Sequence, residues 1–431
     1  MLHITIQVAI IVVAIVLIIV LISKYKINAF YALMAASFFA AIIFMPADKV
    51  VPEIKDGLAH AFKSVGLIVI FGTAIGLILD KSGATLSIAN FIVHKIGKQN
   101  TLLAILLTSF LVGLPIFCDS AFIVLIGLTK SLSQNSGTPL GASVILLATV
   151  LLTVHCLVPP HPGATAAAGI LGVDVGNFII AGTLLSIPLI GICYFLSKKL
   201  NNSVYIHTMD NIAPANENLP PVFYSFLPIL MPLTLITCRS FYELSTGQKI
   251  PFITLAGEPA FALCIGMLCA LPLAKKNIIN SILTDSIEKA GPILAVVSAG
   301  GAFGGIIKAT GVGALAGEYI SHLGLGIWIP FIMASFLKVA QGSSTVAIIT
   351  ASSIIQPMLG GMGMSSGAGS IFCVLSLGLG SMAVSHANDA FFWVICNFSG
   401  MNSEQALKYY TPITGAVAIS GMIILQLAYL F

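Results

Sequence analysis

Charge is what this chain has least of. Only 8% of its 431 residues are charged, against 58% hydrophobic and a mean hydropathy of +1.06, whereas a soluble chain carries about 25% charged residues. That excludes a soluble protein and leaves an integral membrane protein. The 19 basic and 15 acidic residues are scattered in short loops with no basic stripe, which excludes nucleic acid as a partner. The cysteines include no CxxC pair and no His/Cys cluster at metal-ligand spacing. They read as small buried hydrophobes, with no metal or redox centre. Gly300-Gly-Ala-Phe-Gly-Gly305 lacks the Gly-Lys-Ser/Thr ending of a nucleotide loop and lies in a predicted helix, where glycines permit close packing. There is no GxSxG and no HExxH. The sequence therefore predicts no enzyme, no cofactor and no use of ATP, which leaves an ion gradient as the energy source. Long hydrophilic stretches are missing too: the one present, Ser197 to Pro221, is too short for the output domain of a sensor.

What is present is a series of apolar runs. The first, Ile4 to Ile22, is long enough for roughly 30 Å of hydrocarbon and has neither a basic leader nor a small-residue cleavage site, so a retained helix is expected. The expected fold is an all-α polytopic membrane protein with spans at 4–22, 28–45, 62–79, 141–157, 176–196, 222–239, 257–273, 291–309, 364–384 and 409–430. Two further segments, 101–132 and 326–357, are apolar but interrupted by Gly113-Leu-Pro-Ile-Phe-Cys-Asp-Ser120 and Gln341-Gly-Ser-Ser-Thr345. Each reads as a re-entrant hairpin with a polar tip. Between spans, Val158-Pro-Pro-His-Pro-Gly163 puts three prolines in four positions, which no helix can continue through. Non-helical backbone at membrane depth is tolerated only inside protein or along a cavity.

Lysines orient the chain. Threading from Lys24 and Lys26 inside places 12 basic residues, among them Lys81, Lys275, Lys276 and Lys289, on the cytoplasmic side and 6, among them Lys49, Lys55, Lys63 and Lys308, outside. The two hairpins then enter from opposite faces. A sequence echo agrees, with Gly66 answering Gly291, Lys81-Ser-Gly83 answering Ala309-Thr-Gly311, Asp119 answering Ser344 and His155 answering His386, at offsets of 225 to 231 residues. Inverted repeats with broken helices at their interface are the architecture of secondary transporters. The expected division is a first repeat over 1–200 (scaffold 1–60, transport part 61–200), a cytoplasmic linker over 201–221 and a second repeat over 222–431 (scaffold 222–275, transport part 276–431). Short amphipathic pieces at 85–98 and 312–323 read as interfacial arms between moving and fixed parts.

The chemistry lies at the interruptions. Asp119, beside Ser120 in the first tip, is a carboxylate deep in the bilayer, which costs about 2.5–3.5 kcal/mol on insertion scales. It reads either as a proton carrier or as a structural group, ion-paired to Lys338 or capping a helix. Lys338 lies inside a hydrophobic arm, where it would hold a substrate carboxylate together with the N–H groups of a half-helix start or make a polar helix contact. Gln341, Gly342, Ser343, Ser344 and Thr345 form the second tip. His155, His161 and Gly163 surround the triple proline, and a neutral imidazole can bond a polyol or relay a proton. His386, Asn388 and Asp389 crowd the second break, a polar density that a wet pocket would satisfy.

Together the motifs GLPIFCDSAFIVL at 113–125, HCLVPPHPGATA at 155–166, QGSSTVA at 341–347 and SHANDAFFWV at 385–394 are similar to those of the gluconate permease family, bacterial transporters of sugar acids and D-serine within the ion transporter superfamily. The resemblance implies proton-coupled uptake of hydroxy acids across the bacterial inner membrane by a homodimer, each transport domain sliding against a scaffold embedded in lipid. The chain departs from the family in having Ala164 where another Pro is common, Ala121 where Gly is common and Lys338 where Arg is common. A lysine holds a carboxylate as a point charge, not a fork, so gluconate, another sugar acid and D-serine all remain open as substrates. Asp119 is the expected proton carrier and Asp389 the second choice. Sodium at Asp389 is the alternative coupling ion, and a passive channel or a membrane sensor is the alternative from another class.

Overall fold

The computed structural model describes residues 2–200, 219–310, 317–318, 322 and 324–430. The expected linker and the arm at 312–323 lie mostly outside these residues. The described residues form helices and no strand. In chain order the first half carries α1 (Leu2–Ser23), α2 (Ala29–Phe44), α3 (Ala47–Lys81), α4 (Ala84–Ile96), α5 (Thr101–Gly113), α6 (Cys118–Ser136), α7 (Leu140–Leu157), α8 (Pro162–Ile170) and α9 (Val175–Leu200). The second half carries α10 (Val222–Thr246), α11 (Pro251–Ala256), α12 (Pro259–Ala270), α13 (Lys276–Ala309), α14 (Trp328–Gln341), α15 (Ser344–Ile355), α16 (Gly367–Met382), α17 (Ala390–Ser399) and α18 (Thr411–Leu430). The order echoes between the halves: long α3 and α13, the pairs α5–α6 and α14–α15, the broken α7–α8 and α16–α17, and closing α9 and α18.

Among the described residues, six stretches are long and apolar enough to cross a membrane, and they contain the expected spans at 62–79, 141–157, 176–196, 222–239, 291–309 and 409–430. Among the other apolar helices, α2 and α16 have 16 residues each, a rise of about 24 Å. The chain is a multi-pass membrane protein. Its hydrophobicity sorts by position. Between Gly141 and Leu157 every residue of α7 is buried, as a helix with apolar residues all round is when protein surrounds it. By contrast α9 and α10 expose Leu184, Ile187, Phe195, Phe223 and Tyr224, apolar groups that a bilayer solvates.

At the centre, α3 and α13 run antiparallel, as matching helices of an inverted repeat do. Lys81 pairs with Asp285 at one end, while Glu53, Asp56, His60 and Lys308 line a cavity at the other. Residues that the lysine pattern assigns to one face thus lie together. Close approach depends on missing side chains: a Cβ at Gly57 would lie 2.6 Å from the Ala302 Cα, and one at Gly301 would lie 2.6 Å from the Gly57 carbonyl oxygen. The glycine run at 300–305 is therefore a packing seam. Gly301→Leu is expected to destabilise by about 1–3 kcal/mol through overpacking, read as a lower melting temperature in detergent. An unchanged melt would mean that this seam is not tight.

Candidate functional site

The first tip forms because Pro115 cannot continue α5. The chain runs extended at Phe117, and α6 restarts at Cys118. Its seat is α3, where a Cβ on Gly76 would fall 2.8 Å from the Pro115 carbonyl oxygen and one on Gly72 2.9 Å from the Pro160 side chain. One turn of α3 thus receives both the first tip and the first break. At that break α7 stops at Leu157, and Pro162 takes the first position of α8, where its missing N–H costs nothing. His161 Nε2 donates to the Gly113 carbonyl at 2.7 Å, satisfying an acceptor that the end of α5 leaves open. The His155 ring is 4.7 Å from that of His161, and its Nε2 lies 3.3 Å from Thr345 Oγ1 of the second tip.

The second tip turns on Gly342, whose φ of +79° is costless only for glycine. Ser343 then caps α15 by accepting the Val346 N–H at 3.3 Å. At the second break Asp389 caps α17, its Oδ1 accepting the Phe391 N–H at 3.1 Å. Its Oδ2 accepts from Lys338 Nζ and from Ser385 Oγ, each at 2.6 Å. Lys338 is 0% exposed and Asp389 4%. Asn388 donates its amide to the Val339 carbonyl, and Trp393 Nε1 donates to the Ala387 carbonyl at 2.7 Å.

A cavity of about 340 Å³ lies where these parts meet, within the range of small-molecule sites. Of the residues expected from sequence, Asp119, His155, Gly342, Ser343, Ser344, Thr345 and Asp389 line it. Ser120, His161, Gly163, Lys338, Gln341, His386 and Asn388 do not, and most of them hold the site together. Gly163 makes room for Thr345, since a Cβ there would lie 3.0 Å from the Thr345 Cα. Lys338 faces Asp389 in place of an open carboxylate site. That pairing also removes the structural ion pair considered for Asp119, which has no salt-bridge partner among the described residues; its one hydrogen bond there comes from Cys118 Sγ at 3.6 Å. At the second break Asp389 Oδ2 accepts from Ser385 and Lys338, while Asp389 also lines the cavity. Gln341 and His386 Nε2 keep buried polar atoms without a protein partner among the described residues.

Sequence reasoning missed Asn28, Phe117, Pro162, Pro292, Ile293 and Val296, which also line the cavity. Asn28 caps α2 by accepting the Phe30 N–H at 2.9 Å, and an Asn directly before an apolar run is a readable cap signal. Pro292, beside the Gly291 already singled out, was a second available sign.

Electrostatically, the cavity's main feature is the set of helix starts around it. Phe117 to Asp119 open α6, Pro162 opens α8, Ser343 to Thr345 open α15 and Asp389 to Phe391 open α17, and all are lining residues. Each start carries partial positive charge, and at two of them a side chain already takes one N–H group, Ser343 that of Val346 and Asp389 that of Phe391. Four together make an anion-binding environment.

A model of the GntP family permeases matches residues 6–431. The gluconate permease of Pseudomonas aeruginosa is 30% identical over 438 residues, covering 96% of each chain. The inner membrane permease YgbN of Escherichia coli is 29% identical over 436 residues, covering 94% of each. Among solved structures, the YdaH transporter of Alcanivorax borkumensis superposes with a TM-score of 0.66 at 15% identity over 89% of each chain, a likeness of fold.

Proposed function

This chain belongs to the GntP family of permeases, and from that premise we propose that it is a proton-coupled symporter bringing gluconate or a closely related small sugar acid into the cell. The observation that carries the reading is the convergence of four helix starts on one cavity that also holds Asp119, a carboxylate with no salt-bridge partner among the described residues. The helix starts hold the substrate carboxylate, while His155, Ser343 and Thr345 offer hydrogen bonds to its hydroxyls. Asp119 supplies the coupling. Ionised, it repels an anion in the same low-dielectric cavity; protonated, it admits one, so substrate and proton enter together. D-Serine is the second reading, because its ammonium would find the same Asp119 carboxylate.

The broader scheme is a homodimer in the bacterial inner membrane, with α5–α6 and α14–α15 as re-entrant helix pairs. At 13, 14 and 12 residues, α5, α14 and α15 each rise only about 18–21 Å, short of a full crossing. Alternating access is of the elevator type. The boundary between fixed and moving parts is read near residue 60, within α3, which runs from Ala47 to Lys81.

Uptake of labelled gluconate into proteoliposomes tests the function. Accumulation is expected under an imposed pH gradient and is expected to vanish when an ionophore collapses it. D-Serine would not compete. Asp119→Asn is expected to abolish uphill accumulation while counterflow exchange continues. Loss of both would mean that Asp119 is structural, and accumulation of D-serine in place of gluconate would change the substrate.

A further inference from the structure

The end of a half-helix inside a membrane protein is a cation site in waiting. Its last carbonyls point the same way and carry the negative end of the dipole, and unwound carbonyls with half-helix C-termini are where transporters commonly hold Na⁺. Here α14 ends against the second break, which presents an oxygen cluster: the Gly342 carbonyl, the Asp389 carboxylate and the Ser385 hydroxyl. The position among them is already filled. Lys338 curls back from its own last turn to place Nζ 3.3 Å from the Gly342 oxygen and 2.6 Å from Asp389 Oδ2. We propose that the Lys338 ammonium is a tethered cation, occupying permanently the position a monovalent metal ion would take at this tip, so that the second half works without sodium and becomes sodium-binding once the lysine charge is removed.

The first half supports this by doing the same thing with a different nitrogen. Gly113 and Gly342 are 229 residues apart, and His161 and Asp389 are 228 apart, inside the register that relates the two halves. At the first tip the Gly113 carbonyl is taken by His161 Nε2. Both arm-ending carbonyls are therefore closed by side-chain donors that stay with the protein. An ordinary structural ion pair would explain Lys338 with Asp389 alone. It would not place a nitrogen on the equivalent carbonyl of the other half.

This inference rests on the transporter reading only for its uptake arm; the binding arm needs no substrate. Purified wild type, Lys338→Ser and Lys338→Arg would be melted in sodium chloride and in choline chloride at equal ionic strength. Wild type and Lys338→Arg are expected to melt alike in both salts. Lys338→Ser is expected to melt at least about 2 °C higher in sodium, through binding to the folded state alone. In proteoliposomes under a pH gradient, Lys338→Ser is expected to take up substrate at least about tenfold faster with sodium than with choline, a difference of about 1.4 kcal/mol. A sodium effect on wild type or on Lys338→Arg overturns the proposal. So does a Lys338→Ser protein that shows no sodium effect, or that cannot be recovered folded even in sodium. Failure of every variant to move sugar acids, with the melting pattern intact, would sink the substrate reading and leave the tethered cation standing.

Discussion

Gly342→Ala is expected to abolish transport and to lower stability by about 2–5 kcal/mol. Two separate costs produce that figure. The left-handed backbone at φ +79° penalises any residue with a Cβ by about 1–2 kcal/mol. The new methyl would also run into the Asn388 carbonyl, and forcing an atom into a packed site costs about 1–3 kcal/mol more. The second cost bears on function, because Gly342 is where the second tip rests on the second break. Moving one from the other shifts Ser343, Ser344 and Thr345 away from the cavity and pulls Lys338 from Asp389. Initial uptake rate and melting temperature measure the two effects separately. A variant that melts lower but transports at the wild-type rate would show that the seating of the tip is not needed for function.

Much of this was readable from sequence because membrane burial enforces it. The helix breaks at Pro115 and at the triple proline follow from missing N–H groups, and the turn at Gly342 from a conformation that glycine accepts without strain. The pairing of Lys81 with Asp285 joins two residues that the lysine pattern assigns to one face. Asp119, His155 and the second tip do line one cavity. What could not be read was direction and partnership. Lys338 and Asp389 were both visible as costly charges, but nothing in a one-dimensional string says that two charges 51 residues apart neutralise each other instead of facing a ligand. His161 was visible as a polar residue at a break, and only the fold shows its ring turned toward the Gly113 carbonyl. The anion site illustrates the same limit from the other side. As proposed, it rests on backbone N–H groups at four helix starts; the sequence suggested Lys338 beside one such half-helix start, and only the fold brings the starts together without the lysine.

Asp389→Ala is expected to be the most damaging single change in the second half, with little folded protein recovered. It strands the Lys338 ammonium, 0% exposed, without its counter-charge, and removing one partner of a buried pair costs about 3–5 kcal/mol. It also deletes the cap of α17, worth about 1 kcal/mol, and leaves the Ser385 hydroxyl without its acceptor. The reverse logic gives the check. In Asp389→Ala with Lys338→Met neither charge of the pair is left buried, so the double variant is expected to melt above the Asp389→Ala single variant, a coupling that a double-mutant cycle resolves for residues in contact. Transport is not expected to return, because the cation position at the tip is then neither filled nor able to fill. Recovery of both stability and uptake in the double variant would reduce this pair to packing. Stability without uptake would assign the charge pair a role in transport that an apolar replacement cannot supply.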